Sequence, residues 1–232
     1  MALGKDGHPD NKIASKYRSL LMKALYSTIF KRLRDGYISP DIIEKIIKDR
    51  MDSEFFSKMK KSKEEFYKKY HRKPPGFILI SPTKKCNLAC KGCYSNSTPQ
   101  SNQALDYDMF KKIIADAHAS WGIRSIAISG GEPLVYVSKG KNIIDIAREF
   151  PLLYFLIFSN GTLLTKEIAK KIAKAANITP VISIEGYSRE TDYRRGEGAH
   201  NGTIKAIQYL REEGIPFGVS ITATQDLSLI HI

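Results

Sequence analysis

The chain has 232 residues, 42% hydrophobic and 26% charged, enough for one sizeable globular domain plus an appendage. It has no apolar run of transmembrane length, no signal-peptide core in its first eleven residues, and only three cysteines, all in one short stretch; this excludes a membrane span and a disulfide scaffold and points to a reducing cytoplasm. The net charge is +13, and residues 1–73 hold 19 Lys and Arg against 10 Asp and Glu.

Residues 1–75 are expected to form an N-terminal basic helical region. Asn11 to Arg34 reads as a helix, with Leu20, Leu21, Ala24, Leu25, Thr28, Ile29 and Leu33 near helical spacing. The stripe is expected to pack on the neighbouring domain in preference to lying on a membrane surface. Gly36 ends it, and Pro40 opens a second helix whose buried stripe is Ile42, Ile43, Ile46 and Ile47. Ser53 to Tyr70 is a third helix. Its lysines alternate with acids, so the basic surplus reads as a solvated face, and nucleic acid is not expected as a partner. Pro74-Pro75-Gly76 then marks a domain boundary.

From residue 76 to 226 the pattern alternates between short strands and helices. Strands are expected at Phe77–Ser81, Ser125–Ser129, Tyr154–Ser159, Val181–Ile184 and Phe217–Thr222. Helices are expected at Asp106–Trp121, Lys141–Phe150, after the cap Thr165, and at Thr203–Glu213. Such alternation implies a parallel α/β sheet with crossover helices, either a doubly wound sheet or a barrel. Each unusual polar cluster directly follows a strand, as in barrel folds. Five strands are visible. The last residues, 227–232, read as a non-native tail, because their coding sequence resembles a sequencing-library adapter; the native gene is expected to continue past about Asp226.

The three cysteines stand as Cys86, Cys90 and Cys93, spaced C-x3-C-x2-C after the first strand. A closed zinc site needs a fourth ligand, and neither His71 nor His118 has suitable spacing. An iron–sulfur cluster normally takes four thiolates, so three leave one iron open to a small molecule. A non-catalytic zinc or iron–sulfur module remains the alternative. Lys84, Lys85 and Lys91 make the loop electropositive. His118, Trp121 and His200 read as structural, His200 in a polar loop, and no catalytic acid or base is identifiable.

The cysteine spacing, with Gly130-Gly131-Glu132-Pro133 after the second strand, resembles the radical S-adenosylmethionine (radical SAM) superfamily from Phe77 to Thr224. The resemblance implies a partial (β/α)6 TIM-like barrel, incomplete at five strands. It implies a [4Fe–4S] cluster on Cys86, Cys90 and Cys93 that binds S-adenosylmethionine and generates a 5′-deoxyadenosyl radical. The cofactor contacts it implies are Gly130, Gly131, Glu132 and Pro133 for the methionine amino group, Asn160 after the third strand, Ser183 and Glu185 near the ribose, and Arg195 at the carboxylate. Thr222 and Thr224 are weaker candidates. Many members place an aromatic just before the third cysteine; here that position is Gly92, and Tyr94 stands in for the adenine contact. Cys-x-Gly-Cys-Tyr and Arg195-Gly196 resemble the peptide- and protein-modifying branch. The expected partners are a peptide or protein substrate and a flavodoxin- or ferredoxin-type reductant.

Overall fold

The computed structural model of the protein describes residues 11–50 and 53–222. Three helices come first: α1 (Asn11–Arg34), α2 (Pro40–Arg50) and α3 (Ser53–Tyr70). Strands and helices then alternate through β1 (Phe77–Ile80), α4 (Tyr107–Trp121), β2 (Ser125–Ile128), β3 (Val137–Ser138), β4 (Lys141–Asn142), α5 (Ile143–Glu149) and β5 (Tyr154–Ser159). The chain continues through α6 (Lys166–Ala175), β6 (Ile178–Ser183), α7 (Ser188–Arg195), α8 (Ala199–Glu212) and β7 (Gly218–Ser220). Strands β1, β2, β5, β6 and β7 form one parallel sheet in that order, and β3 and β4 make a small antiparallel pair beside it. Each strand of the main sheet lies next to its predecessor. That is the order of a barrel; a doubly wound sheet reverses direction at its switch point.

Local chemistry sets the element ends. Asp106 caps α4 by accepting from Asp108 N (2.9 Å), and Gly122 stops it in the left-handed conformation at φ 58°. Asn142 and Asp145 form a reciprocal capping box at α5. Thr165 caps α6 through Ile168 N. Behind the sheet, Phe110, Ile114, Ile126, Ile128, Phe155 and Leu210 are almost fully buried in one cluster.

Several expectations are corrected. Along α1, Leu20 and Ala24 are exposed and Ile29 and Leu33 half-buried, so the stripe is not covered by the sheet domain among the described residues; the side chains of Leu21 and Leu25 lie outside them. In α2, Ile42 is buried, Ile43 half-buried and Ile47 exposed, while Ile46 also lies outside the described side chains. Five helical steps turn Ile47 about 140° away from Ile42, off the same contact. Strand β6 starts at Ile178, ahead of Val181, and includes Pro180. Its neighbour β7 pairs only from Val181 onward, so β6 has a free edge where a residue without an N–H is tolerated. His200 lies in the first turn of α8, not in a loop. Helix α7 was not expected at all; Ser188–Arg195 has no apolar periodicity, and among its residues only Thr191 is buried. Residue Thr224 and the tail 227–232 lie outside the described residues.

The N-terminal helices are joined to the sheet domain by α2 and α3. Ile42 and Phe55 belong to the same apolar cluster as the sheet, and the Phe55 ring stacks on His118 at 5.0 Å and 7°. Lys45 Nζ donates to Lys174 O and Ala175 O at 2.9 and 3.1 Å, satisfying carbonyls at the end of α6. No described helix is long and apolar enough to cross a membrane.

Candidate active site

The cysteine loop follows β1 and is sewn to the loop after β2. Gly131 N donates to Thr83 O at 2.8 Å and Glu132 N to Lys85 O at 2.9 Å. A Cβ at Gly131 would lie 2.1 Å from Lys85 O, and one at Gly130, where φ is +103°, would lie 2.8 Å from Thr83 O. The glycine pair is therefore required first by the approach of two backbones. Thr83, buried, steadies the loop by accepting from Lys85 N (3.0 Å) and donating to Gln103 O (3.0 Å).

The three sulfurs have different surroundings. Cys86 Sγ accepts from Leu88 N at 3.4 Å and from Asn160 Nδ2 at 3.8 Å. Burial pushes its thiol up, against the Leu88 N–H, and the Glu132 charge adds to the rise. Burial also raises Cys90, opposed by the nearby Arg195 and Arg194 charges. Cys93 is held below the ordinary value: burial would raise it, but hydrogen bonds from Ser95 and from neighbouring backbone N–H groups prevail. Ser95 Oγ lies 3.4 Å from Cys93 Sγ and 2.8 Å from Gly130 O, so its single proton serves one of the two at a time, while its backbone N–H also faces the sulfur.

Two buried carboxylates organise the walls. Glu132, 1% exposed, accepts from Ser159 Oγ (2.8 Å), Leu134 N (3.0 Å) and Asn160 N (2.8 Å), so it pins the end of β5. Burial pushes its carboxyl above the usual range despite these donors. Glu185, also 1% exposed, takes the Arg195 fork through Nε and through Nη2 at 2.6 Å, with Arg194 Nε 3.5 Å away. Arg194 reaches back to Gly92 O (3.4 Å), its carbonyl accepts from Lys91 N (2.8 Å), and Lys91 Nζ sits 3.5 Å from the centre of the Tyr193 ring. Helix α7 thus clasps the cysteine loop.

A cavity of about 850 Å3 opens where these parts meet. The three cysteines, Tyr94, Gly130, Gly131, Glu132, Asn160, Ser183 and Arg195 line it, as does Thr222. Phe77, Leu79, Leu156 and Phe158 form its apolar part. Glu185 stands behind Arg195, and Pro133 is buried at the start of a 3-10 turn. Tyr94, 75% exposed, is tied by its hydroxyl to Ser129 Oγ (2.6 Å) and Gly130 N (3.1 Å). Beside the expected residues stand Asn87, Ser95, Thr162 and Arg194. Only Arg194 carried a sequence signal, its place in the Arg-Arg-Gly run. The other three are ordinary loop polar residues whose partners lie far away in the chain.

The donor set, three free thiols with no fourth cysteine in the chain, fits a cubane with one open iron. All three thiols are free and half-buried beside the cavity, but among the described residues no group of three His, Cys, Asp or Glu converges as one metal ion requires. Zinc draws its sulfurs to about 2.3 Å from one centre, whereas a cubane holds each thiolate on a different iron.

A parallel barrel-type sheet thus carries three free thiols that line one cavity. The chain belongs to the radical SAM superfamily, whose profile matches residues 80–225. It is similar to an AdoMet-dependent heme synthase of Methanosarcina barkeri, 34% identical over 65% of this chain and 43% of that protein. It is also similar to the subtilosin biosynthesis protein AlbA of Bacillus subtilis, 29% identical over 57% of this chain and 30% of that protein. Among solved structures, SuiB of Streptococcus suis bound to its precursor peptide SuiA shares the fold, with a TM-score of 0.57 at 24% identity over 69% of this chain and 37% of that one. The chain spans about half or less of the length of the curated relatives it matches.

Proposed function

We propose that Cys86, Cys90 and Cys93 hold a [4Fe–4S] cluster whose open iron binds S-adenosylmethionine, and that the enzyme acts on a peptide or protein. The observation that carries this is the set of three thiols, not four, lining one cavity together with the Gly130-Gly131 loop. Bound there, such a cluster would supply the single electron for reductive cleavage of S-adenosylmethionine, and with it radical hydrogen abstraction from the substrate. The chain's own residues position and shield. The glycine pair brings the β2 loop against the cysteine loop, and Arg195, whose Nε and Nη2 are taken by Glu185, has only its remaining N–H groups to offer a cofactor carboxylate beside Cys90. The peptide assignment is supported by similarity to AlbA and by the fold shared with SuiB.

Anaerobic reconstitution tests the cofactor reading. Binding of about four irons per chain, with release of 5′-deoxyadenosine on reduction by a flavodoxin- or ferredoxin-type protein, is the expected result, and Cys90→Ala should lose both. Zinc binding without cleavage would support a non-catalytic module. Adding peptides encoded beside the gene should then stimulate 5′-deoxyadenosine release. Stimulation by an iron porphyrin instead would move the substrate toward that of the heme synthase relatives.

A further inference from the structure

We infer that Asn160 is a hydrogen-bond donor that tunes the Cys86 sulfur, with Asn87 and Thr162 locking its amide in the donating orientation and Glu132 holding its backbone. The inference rests on the proposed cluster at the three cysteines.

The Asn160 amide places Nδ2 3.8 Å from Cys86 Sγ and 3.0 Å from Asn87 Oδ1. Such a contact means something only if the amide's nitrogen and oxygen ends can be told apart. Here the opposite end decides. Asn160 Oδ1 accepts from the backbone Thr162 N at 2.9 Å and from Thr162 Oγ1 at 2.7 Å. A flipped amide would set an NH2 against a backbone N–H. Asn87 Nδ2 donates to Thr162 Oγ1 at 2.8 Å, which commits the hydroxyl proton to Asn160. The three side chains close a ring: Asn87 donates to Thr162, Thr162 to Asn160, and Asn160 back to Asn87. The remaining N–H of the Asn160 amide is left for Cys86.

The backbone of Asn160 is held as firmly. Its N–H goes to Glu132 Oε2 at 2.8 Å, and its carbonyl accepts from the buried Thr203 hydroxyl at 3.0 Å. Asn160 is itself only 7% exposed, and its contact with the half-buried Cys86 is partly buried. Asn87 lies between Cys86 and Cys90, so the ring also ties the cysteine loop to the turn after β5. Hydrogen bonds to cluster sulfurs favour the more negative, reduced state and raise the potential.

The test is the reduction potential of the reconstituted cluster, followed by its electron paramagnetic resonance signal at fixed solution potentials. In Asn160→Ala, with about four irons retained, the ratio of reduced to oxidised cluster at a given potential should fall about three- to tenfold, tenfold being 59 mV for one electron. Thr162→Val, which frees the amide without removing it, should shift the ratio the same way by a smaller factor. An Asn160→Ala protein with four irons and an unchanged potential overturns the inference and leaves the cluster intact. Should that variant take up no cluster, an unchanged potential in Thr162→Val overturns it equally. A wild-type protein that binds no iron refutes the cluster reading itself.

Discussion

At Gly131 and Glu132 the demands of packing and of the proposed cofactor site fall on the same residues. The sequence shows why glycine permits close approach, but what Gly131 approaches is Lys85 O of its own chain. Gly131→Ala should push the β2 loop off the cysteine loop, at a cost of about 1–3 kcal/mol or more. Iron content after reconstitution should drop with the urea unfolding midpoint, and a variant of full stability and iron content would contradict the close approach. Glu132 presents a different case. Its two oxygens serve three donors, with Leu134 N and Ser159 on one and Asn160 N on the other. A glutamine has a single acceptor oxygen, so either orientation sets its NH2 against a backbone N–H. Glu132→Gln should therefore destabilise the fold by about 1–3 kcal/mol, although it removes a buried charge. Urea denaturation of the two proteins measures the difference.

At the level of elements, the strands of the main sheet were legible because each is a short apolar run punctuated by polar turns, and the helices on the sheet because caps and apolar faces agree; β3 and β4 were not, and Lys141–Asn142, expected to open a helix, pairs as β4. Helix α7 was not legible. Its residues are polar, and besides Glu185 and α8 it is held by contacts 90 or more residues back, at Lys91 and Gly92. The Asn87–Thr162–Asn160 ring was hidden for the same reason: three common loop residues gain meaning only once the loops after β1 and β5 meet across the end of β2. The N-terminal helices show the opposite error, since periodicity alone predicted burial for α1. Tyr17, Tyr26 and Phe30 are exposed there, and the described contact near its end is Arg32 against the Tyr37 ring at 5.0 Å. Deleting residues 1–34 should thus shift Tm by no more than about 4 °C. Phe55→Ala on α3, which empties a place in the main apolar cluster, should cost about 3–5 kcal/mol. Thermal melts of the two variants place the boundary between appendage and domain; equal losses would show that α1 is as firmly joined as α3.

For the molecule as a whole, the distribution of charge bears on how an electron reaches the cavity. The net charge is +13, and most of the surplus lies before residue 74. Steering of an acidic reductant, however, depends on charges near the docking point, because the Debye length is about 8 Å at physiological salt. Lys84 and Lys85 are exposed on the cysteine loop itself, immediately before Cys86. Lys60 and Lys61 are exposed on α3 and lie 3.9 Å from Glu64 and Glu65, so each already has a counter-charge. The pairs Lys84→Glu with Lys85→Glu and Lys60→Glu with Lys61→Glu change the net charge equally. If electrons enter over the cysteine loop, the first pair should slow reduction by an acidic flavodoxin about tenfold or more at low salt, and the second less than about threefold. The difference should vanish at about 0.5 M salt, where the screening length is only a few ångströms. Equal slowing by both pairs would mean that total charge steers the encounter and that the loop lysines have no special part in it.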